Sequence, residues 1–547
     1  MKSFSFASSL AMILLLAGCV QYSSVQKRGR TADLATTAEQ RTLVASQKRL
    51  KDNPLAQIGG YLDAANAARI RLAANPTDVL AQSDYNFSVA RIVEIVSNKE
   101  LTPWEQPLLC PSATGKPWKL GLIPPDPRPQ FHPSKLDFTP TDRLVFHGKL
   151  VGQKATTTGL GAPVVASGKN VDPASTGEFG GKKDLFYGLT ATIRFSGRRC
   201  EIVFSDPLKA QTLKLDSHSY PMAADFQAPL AMSLASFNVR RLELKEMFKP
   251  ELYETSASLA RLEPYNPKKI PVLFIHGLSN SPATFNPVIE SLRSDPEIRR
   301  NYQFWVFSYA SGLPYPMSAA VLRYQLNKMR RLYPDHKDIV VIGHSMGGMI
   351  TRLLLTDSGN KIWDTFFAKP PEEIPFSDAA RKLITRTLIF DAQPHISRAL
   401  FMSPSNRGSD MATDFFGRLG SMLVGNPISQ NEVSKELYSH IRPEARAHGR
   451  HRLPNGIDML DPDNLFLNTV NSIPLKAGIP FHSLLGDRGK GGHLDHTKPS
   501  SSDGIVPYWS SHTAGAESER IIPSGHWTHL HPLGMAEIRR VLLEHLK

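Results

Sequence analysis

Cysteine is scarce, with three in 547 residues, too few for a disulfide scaffold or a Cys-rich zinc module. Long apolar runs are missing too: no stretch reaches the 18 or so residues that a membrane-spanning helix needs. Acidic residues are in deficit, 50 against 64 basic, which leaves a net charge of +14 with His neutral. Such a balance favours anionic surroundings such as lipid headgroups or nucleic acid. The basic residues are spread along the chain, however, and no basic block is interleaved with stacking aromatics, which argues against a nucleic-acid partner. A solvated basic surface is the plainer reading. The 37 glycines and 42 prolines barely exceed ordinary usage, and 41% hydrophobic with 21% charged residues exclude disorder, collagen and coiled coil as whole-chain descriptions. At this length one core is too few, and two or three domains are expected.

The short apolar run that does exist lies at the N-terminus. Lys2 precedes Leu10, Ile13, Leu14, Leu15 and Leu16, and the run ends in Leu16-Ala17-Gly18-Cys19. Charged start, apolar middle and small-residue end describe an export signal. The last four residues resemble the bacterial lipoprotein signal, which implies a signal peptide over 1–19 whose Cys19 is lipidated and becomes the mature N-terminus. Val20 rather than Asp follows, which by analogy with Gram-negative lipoproteins implies the outer membrane. The expected location is therefore the bacterial cell envelope, with the chain anchored to a membrane by lipid without spanning it; an export signal that merely ends in Cys is the alternative. Outside the cytoplasm Cys110 and Cys200 are free to form a disulfide, or to remain two thiols.

Residues 20–36 are small and polar and read as a tether. Over 37–100 the pattern is helical: Leu62, Ala65, Ala68, Ile70 and Leu72, a break at Asn75-Pro76-Thr77-Asp78, then Leu80, Ala81, Tyr85, Val89, Ile92 and Ile95 at near-helical spacing. This resembles one tetratricopeptide-type hairpin, fewer than the three or so repeats a solenoid needs, so a packed structural hairpin is expected rather than a partner-binding array. Residues 101–264 combine a proline-rich extended connector up to 137 with a β-rich region. There, strands are expected at Arg143–Gly152, in a hairpin around Ser196-Gly197 flanked by Ile193, Phe195, Cys200, Ile202 and Phe204, and along Phe237–Leu244.

From 265 to 547 the rhythm is strand, helix, strand. The apolar runs Ile270–His276, Phe304–Phe307, Asp338–Gly343, Ala399–Met402 and Phe481–Leu485 are continuous rather than alternating, as a parallel sheet covered on both faces requires. Helical stretches at Met317–Leu332 and Met346–Leu355 lie between them, so the expected class is α/β with a doubly wound, mostly parallel sheet.

The third run leads directly into Gly343-His344-Ser345-Met346-Gly347-Gly348. G-x-S-x-G between a strand and a helix is a sharp elbow that strains and exposes the serine while its glycines admit neighbouring backbone. A serine hydroxyl needs a base for its proton and a dipole cage for the oxyanion. Upstream, Phe274-Ile275-His276-Gly277-Leu278 resembles the His-Gly loop of lipases and esterases. That resemblance assigns the oxyanion hole to the backbone N–H groups of Leu278 and Met346, and leaves His276 as a loop-fixing residue. Downstream, Ser502-Asp503-Gly504-Ile505-Val506-Pro507 resembles the acid-bearing segment of α/β-hydrolases, with Asp487 as the rival acid. Pro523-Ser524-Gly525-His526-Trp527-Thr528-His529-Leu530-His531 follows the last strand, Ser518–Ile522. Of its three histidines, His526 sits where the fold places its base; His529 and His531 are the rivals.

Residues 265–547 thus resemble the lipase and esterase branch of the α/β-hydrolase superfamily. The resemblance implies a serine ester hydrolase in which His526 takes the Ser345 proton, Asp503 holds the imidazole, and an acyl-enzyme forms and is hydrolysed, with no metal or organic cofactor. The expected partners are an ester with an apolar acyl group and, through Cys19, a membrane. Acyl transfer by the same triad, or a noncatalytic envelope scaffold, are the alternatives. Within the long segment 404–478, Pro404–Ser409 could border the site, and Phe415, Phe416, Leu419, Met422 and Leu423 could make a lid or simply pack on the sheet. His493, Asp495 and His496 lack metal-ligand spacing and read as a polar loop.

Overall fold

Local capping explains where the first helices begin. Thr37 and Gln40 form a reciprocal capping box at the head of α1 (Ala38–Gln47), and Asn53 and Asp78 cap α2 (Pro54–Ala74) and α3 (Val79–Asn98) through their side chains, each satisfying an otherwise orphaned backbone N–H. The computed structural model describes residues 24–125, 131–148, 155–169, 185–236, 257–263, 265–413, 432–446, 453–488 and 502–547. The signal segment with Cys19, the stretch Phe237–Leu244, the apolar positions Phe415 to Leu423 and the His493–His496 loop lie outside them. No helix among the described residues is long and apolar enough to cross a membrane. Two compact units emerge, Met1–Asn238 with Glu290–Arg300, and Val239–Ile289 with Asn301–Lys547.

In the first unit, α2 and α3 form the expected hairpin, with Leu62, Ala65, Ala68 and Leu72 facing Ala81, Tyr85, Val89 and Ile92 in the core. Ile70 and Leu80 are more than half exposed: Ile70 lies two residues from Ala68, about 200° around the helix, and so falls on the far face. Its strands include β1 (Ser24–Lys27), β2 (Leu108–Ser112), β3 (Gly115–Leu122), β4 (Asp137–Pro140), β5 (Leu144–His147), β6 (Ala162–Gly168), β7 (Leu185–Ser196) and β8 (Arg199–Ser205). Six of them make one sheet in the order β2-β3-β8-β7-β6-β4. The β7–β8 hairpin turns through Gly197 and Arg198, with Ser196 paired to Arg199 and Gly197 at φ 59. β6 stops opposite Ala191, and beyond it the Tyr85 hydroxyl takes the place of a strand partner: it accepts from the Ile193 N–H (2.9 Å) and donates to the Ile193 carbonyl (3.0 Å). The helical hairpin is thereby fastened to the sheet.

Three expectations are corrected here. The proline-rich connector is a strand pair: β2 is a sheet edge with Pro111 at a register shift between Cys110 and Ser112, the kind of position where a residue without an N–H is tolerated. The tether is tied down from Ser24 onward, since β1 pairs with β5 and the buried Arg143 guanidinium donates to the Arg28 carbonyl and the Thr31 hydroxyl. Cys110 and Cys200 are both free, buried thiols rather than a disulfide. They sit on β2 and β8 with β3 between them; two inter-strand spacings put their Cα atoms roughly 10 Å apart, beyond the ~7 Å a disulfide can bridge.

The second unit carries a seven-stranded sheet. Its strands are β9 (Ser258–Arg261), β10 (Ile270–Ile275), β11 (Tyr302–Ser308), β12 (Ile339–His344), β13 (Ile396–Met402), β14 (Phe481–Gly486) and β15 (Ser518–Ile522), in the order β9-β11-β10-β12-β13-β14-β15. All pairs are parallel except β9–β11. The four-residue edge strand β9 was not foreseen from the sequence, because so short a run carries little periodicity. The chain leaves β10 for β11 on one side and returns to β12 on the other, so the carboxyl ends of β10 and β12 form the switch-point crevice in which open α/β sheets place their ligands.

Two outcomes are expected from this packing. Tyr85→Phe strands both Ile193 backbone groups and lowers stability by about 1–3 kcal/mol, measurable as a shift in the urea midpoint. Alkylation in denaturant without reductant labels both the Cys110 and the Cys200 peptides; a linked pair of these peptides in the mass spectrum would contradict the structure.

Candidate active site

β12 is buried along its whole length and is followed by Ser345, which has φ 55 and ψ −123 and donates its N–H to the Met402 carbonyl at 2.8 Å. A non-glycine residue in this region is strained and persists only where its surroundings hold it. Close backbone packing is what holds Ser345. A Cβ on Gly347 would come within 2.1 Å of the Ile275 carbonyl oxygen, and one on Gly277 within 2.8 Å of the Ser345 Cβ. The first turn of α4 (Met346–Leu354) therefore presses directly onto the end of β10. Leu278 and Met346 are both buried. Met346 opens α4, and its N–H is one of the four at a helix start that have no intrahelical acceptor.

Asp503, though well beyond β14 in sequence, lies against the end of that strand. The Arg488 N–H donates to the Ser502 carbonyl (3.0 Å), and a Cβ on Gly486, the last residue of β14, would touch the Asp503 Cβ at 2.7 Å. The carboxylate is buried. Its Oδ1 accepts from the backbone of Ile505 (2.9 Å) and Val506 (2.7 Å), and its Oδ2 meets His526 Nδ1 at 2.7 Å. Burial by itself would raise the Asp503 pKa; the charge and hydrogen bond of His526, with the two backbone donors, overcome it and hold the carboxyl below its ordinary value.

His526, on the loop after β15, is buried. Its Nε2 has no hydrogen-bond partner among the described residues, and no hydrogen bond there joins it to the Ser345 hydroxyl. What connects the two segments is His344, the residue before the serine: its Nε2 lies 2.8 Å from the His526 carbonyl oxygen and its ring 4.9 Å from the His526 ring. Burial, together with the neighbouring His529 and His526, keeps the His344 pKa well below the ordinary histidine value, so it donates from a neutral ring. Sequence reasoning missed this residue. Its position inside the elbow motif was visible, but its partner is 182 positions away.

The rival residues have other work. His529 is buried against His344 (4.5 Å) and Phe285 (5.2 Å), with Nε2 on the Thr284 hydroxyl at 2.9 Å, and burial drives its pKa to about 3. His531 caps the C-terminal helix Pro532–Glu544, its Nδ1 accepting from the Leu533 N–H. His276 stacks on Tyr309 (4.3 Å), lies 2.9 Å from the Gly277 carbonyl through Nδ1, and is pushed by burial to about 4; it braces the loop. Asp487 is buried beside β15, its N–H on the Ile522 carbonyl, whereas the carboxylate on His526 is that of Asp503. Phe285 lies in the core against Phe274.

The start of the long insertion is knitted to the segment that follows Asp503. Ser409 donates to the Ile505 carbonyl (2.6 Å), Asn406 to the Thr513 hydroxyl (2.9 Å), and the Arg407 N–H to the Ser510 hydroxyl (3.2 Å). Further along, the helix Glu432–His440 is joined to Ser377 through Glu436, so the described parts of the insertion are packed onto their own unit.

No curated protein matches the sequence. Among solved structures, the chain is similar to a Bacillus licheniformis lipase in its mature form, at 14% identity over 52% of this chain and 98% of that one, with a TM-score of 0.33. It is also similar to a Paleococcus ferrophilus monoacylglycerol lipase, at 13% identity over 53% and 98%, TM-score 0.29. Residues 272–538 match the Alpha/beta hydrolase family. With its mostly parallel sheet, a serine at the elbow after β12, and an acid and a histidine in the loops after β14 and β15, the C-terminal half of the chain has the α/β-hydrolase fold.

Proposed function

We propose that the protein is a serine hydrolase of carboxylic esters, anchored to the bacterial cell envelope by lipid on Cys19, with Ser345 as nucleophile, His526 as base and Asp503 as the group that orients it. The observation that carries this reading is the buried Asp503–His526 pair (2.7 Å), whose free Nε2 belongs to a loop held by His344, the neighbour of Ser345 in the strained elbow. The chain order of serine, acid and histidine is that of the fold. In this mechanism Nε2 takes the Ser345 proton as Oγ attacks the ester carbonyl. The Leu278 and Met346 N–H groups bind the oxyanion, and the imidazolium, stabilised by Asp503, returns its proton to the departing alcohol. Water then repeats the sequence on the acyl-enzyme.

The acyl group is apolar. Trp527, next to His526, is 44% exposed and Met411 43%, and Met411 lies 3.8 Å through its sulfur from the hydroxyl of Ser502, which adjoins Asp503. Both residues offer apolar surface to a hydrocarbon chain. At the N-terminus, the LAGC sequence ending at Cys19 and the following Val20 support an outer-membrane anchor.

A fluorophosphonate probe labels the wild type, whereas Ser345→Ala and His526→Ala are not labelled and lose ester turnover by about 10⁴-fold or more. An unlabelled wild type, or a labelled Ser345→Ala, removes the catalytic assignment. For the anchor, radiolabelled palmitate enters the wild type and Cys19→Ala moves from the membrane to the soluble fraction without label; recovery of Cys19→Ala in membranes as efficiently as wild type contradicts it.

A further inference from the structure

The second unit holds a cavity of about 330 Å³ whose wall includes neither Ser345, Asp503 nor His526. Its wall combines the cationic and polar side chains of Arg352, Arg407, Asn406 and His512 with the apolar ones of Ile473 and Phe481. No carboxylate belongs to the wall. The nearest acidic group tied to it, Glu519, is already engaged by His512 (2.8 Å) and the Tyr508 hydroxyl (2.7 Å).

Arg352 projects from α4, the helix that Ser345 begins, and is nine-tenths buried. Its Nη2 donates to the carbonyls of Ile473 (3.0 Å) and Val470 (3.4 Å). Arg407 donates through Nη1 to the carbonyls of Trp509 (2.6 Å) and His512 (2.9 Å). Neither guanidinium has an ion-pair partner among the described residues. Arg352 is thus a buried cation without a counter-charge, a costly arrangement, and Arg407, exposed to solvent, brings a second positive charge to the same cavity. Burial, with the Arg407 charge adding to it, brings the Arg352 pKa down to about 10. The Asn406 side chain, also more than nine-tenths buried, donates to Thr513.

We propose that this cavity binds a small organic carboxylate, with its charged end between Arg352 and Arg407 and its hydrocarbon part against Ile473 and Phe481. The planar fork of each guanidinium matches a carboxylate in two-point contact. The anion supplies the missing counter-charge, and the apolar wall separates an organic acid from an inorganic ion. The competing account treats the two arginines as struts that only satisfy the ends of the helices Leu465–Asn471 and Tyr508–Ser511.

The test is calorimetric titration of the full chain with hexanoate, its neutral counterpart 1-hexanol, and inorganic phosphate. Hexanoate is expected to bind at least tenfold more tightly than either of the others. Arg407→Gln, checked for folding by its melting curve, weakens hexanoate at least tenfold, which distinguishes this cavity from any binding beside Ser345. Arg407→Lys, which keeps the charge and loses the fork, weakens it to a lesser extent. Absence of hexanoate binding, equal binding of hexanol, phosphate binding as tight as hexanoate, or unchanged hexanoate binding by a folded Arg407→Gln protein each overturns the proposal. If the variants do not fold, the wild type is titrated again after fluorophosphonate has blocked Ser345: hexanoate binding that persists supports the cavity, and binding that is lost overturns the proposal.

Discussion

The candidate site depends on one steric constraint, the contact of the first turn of α4 with the end of β10. With no room for a Cβ at Gly347 beside the Ile275 carbonyl, or at Gly277 beside Ser345, the helix and the neighbouring strand approach to backbone distance. That closeness forces the chain to turn within a single residue, and Ser345 absorbs the turn at φ 55. Strain of this kind costs of order 1–3 kcal/mol and persists because β12 is hydrogen-bonded to parallel neighbours on both sides. The same contact aligns the start of α4 with the Leu278 loop, so one packing decision sets the position of both the hydroxyl and the adjacent backbone donors.

Electrostatics adds a second layer. Four imidazoles crowd the region, and burial keeps three of them, His276, His344 and His529, at depressed pKa values. Three charged rings there would repel one another and a protonated His526. Neutral, they act as spacers and hydrogen-bond partners, and the one ring placed against a carboxylate is His526. The division of labour follows from solvation and from the placement of a single acid, since all four residues share one chemistry.

How much of this was legible in the sequence varied with the range of the interactions concerned. Elements set by local pattern were readable: the buried parallel strands from their continuous apolar runs, α2 and α3 from their periodicity and the break between them, the elbow from its glycines. Features set by distant partners were not. The polar segment from Ser24 becomes a strand because β5 offers an edge, and residues 108–122 become strands because Pro111 can sit at an edge bulge. Cys110 and Cys200 invited pairing until β3 was found between them. The pairing of Asp503 rather than Asp487 with His526 depends on Asp503 lying against Gly486, the last residue of β14, a proximity that spacing along the chain does not encode. His344 was visible as a letter in the motif, but its bond to the His526 carbonyl was not.

These long-range ties also explain why the insertion after β13 belongs to the site's architecture. Asp503 takes its two backbone donors from Ile505 and Val506, so the orientation of its carboxylate is only as fixed as that turn. The Ile505 carbonyl is held by Ser409, and the helix that follows the turn is held by Arg407 through Ser510 and Trp509. Ser409 and Arg407 lie just beyond Ser403, which follows β13 at φ 44 and is fully buried. The chain that leaves β13 thus braces the turn that holds the acid. Because β13 supplies the carbonyl of Met402 to the Ser345 N–H, the brace on the acid and the brace on the serine belong to one short segment, Met402–Ser409. Displacing this segment would move both together, which ties the spacing of the acid and the serine to the end of a single buried strand.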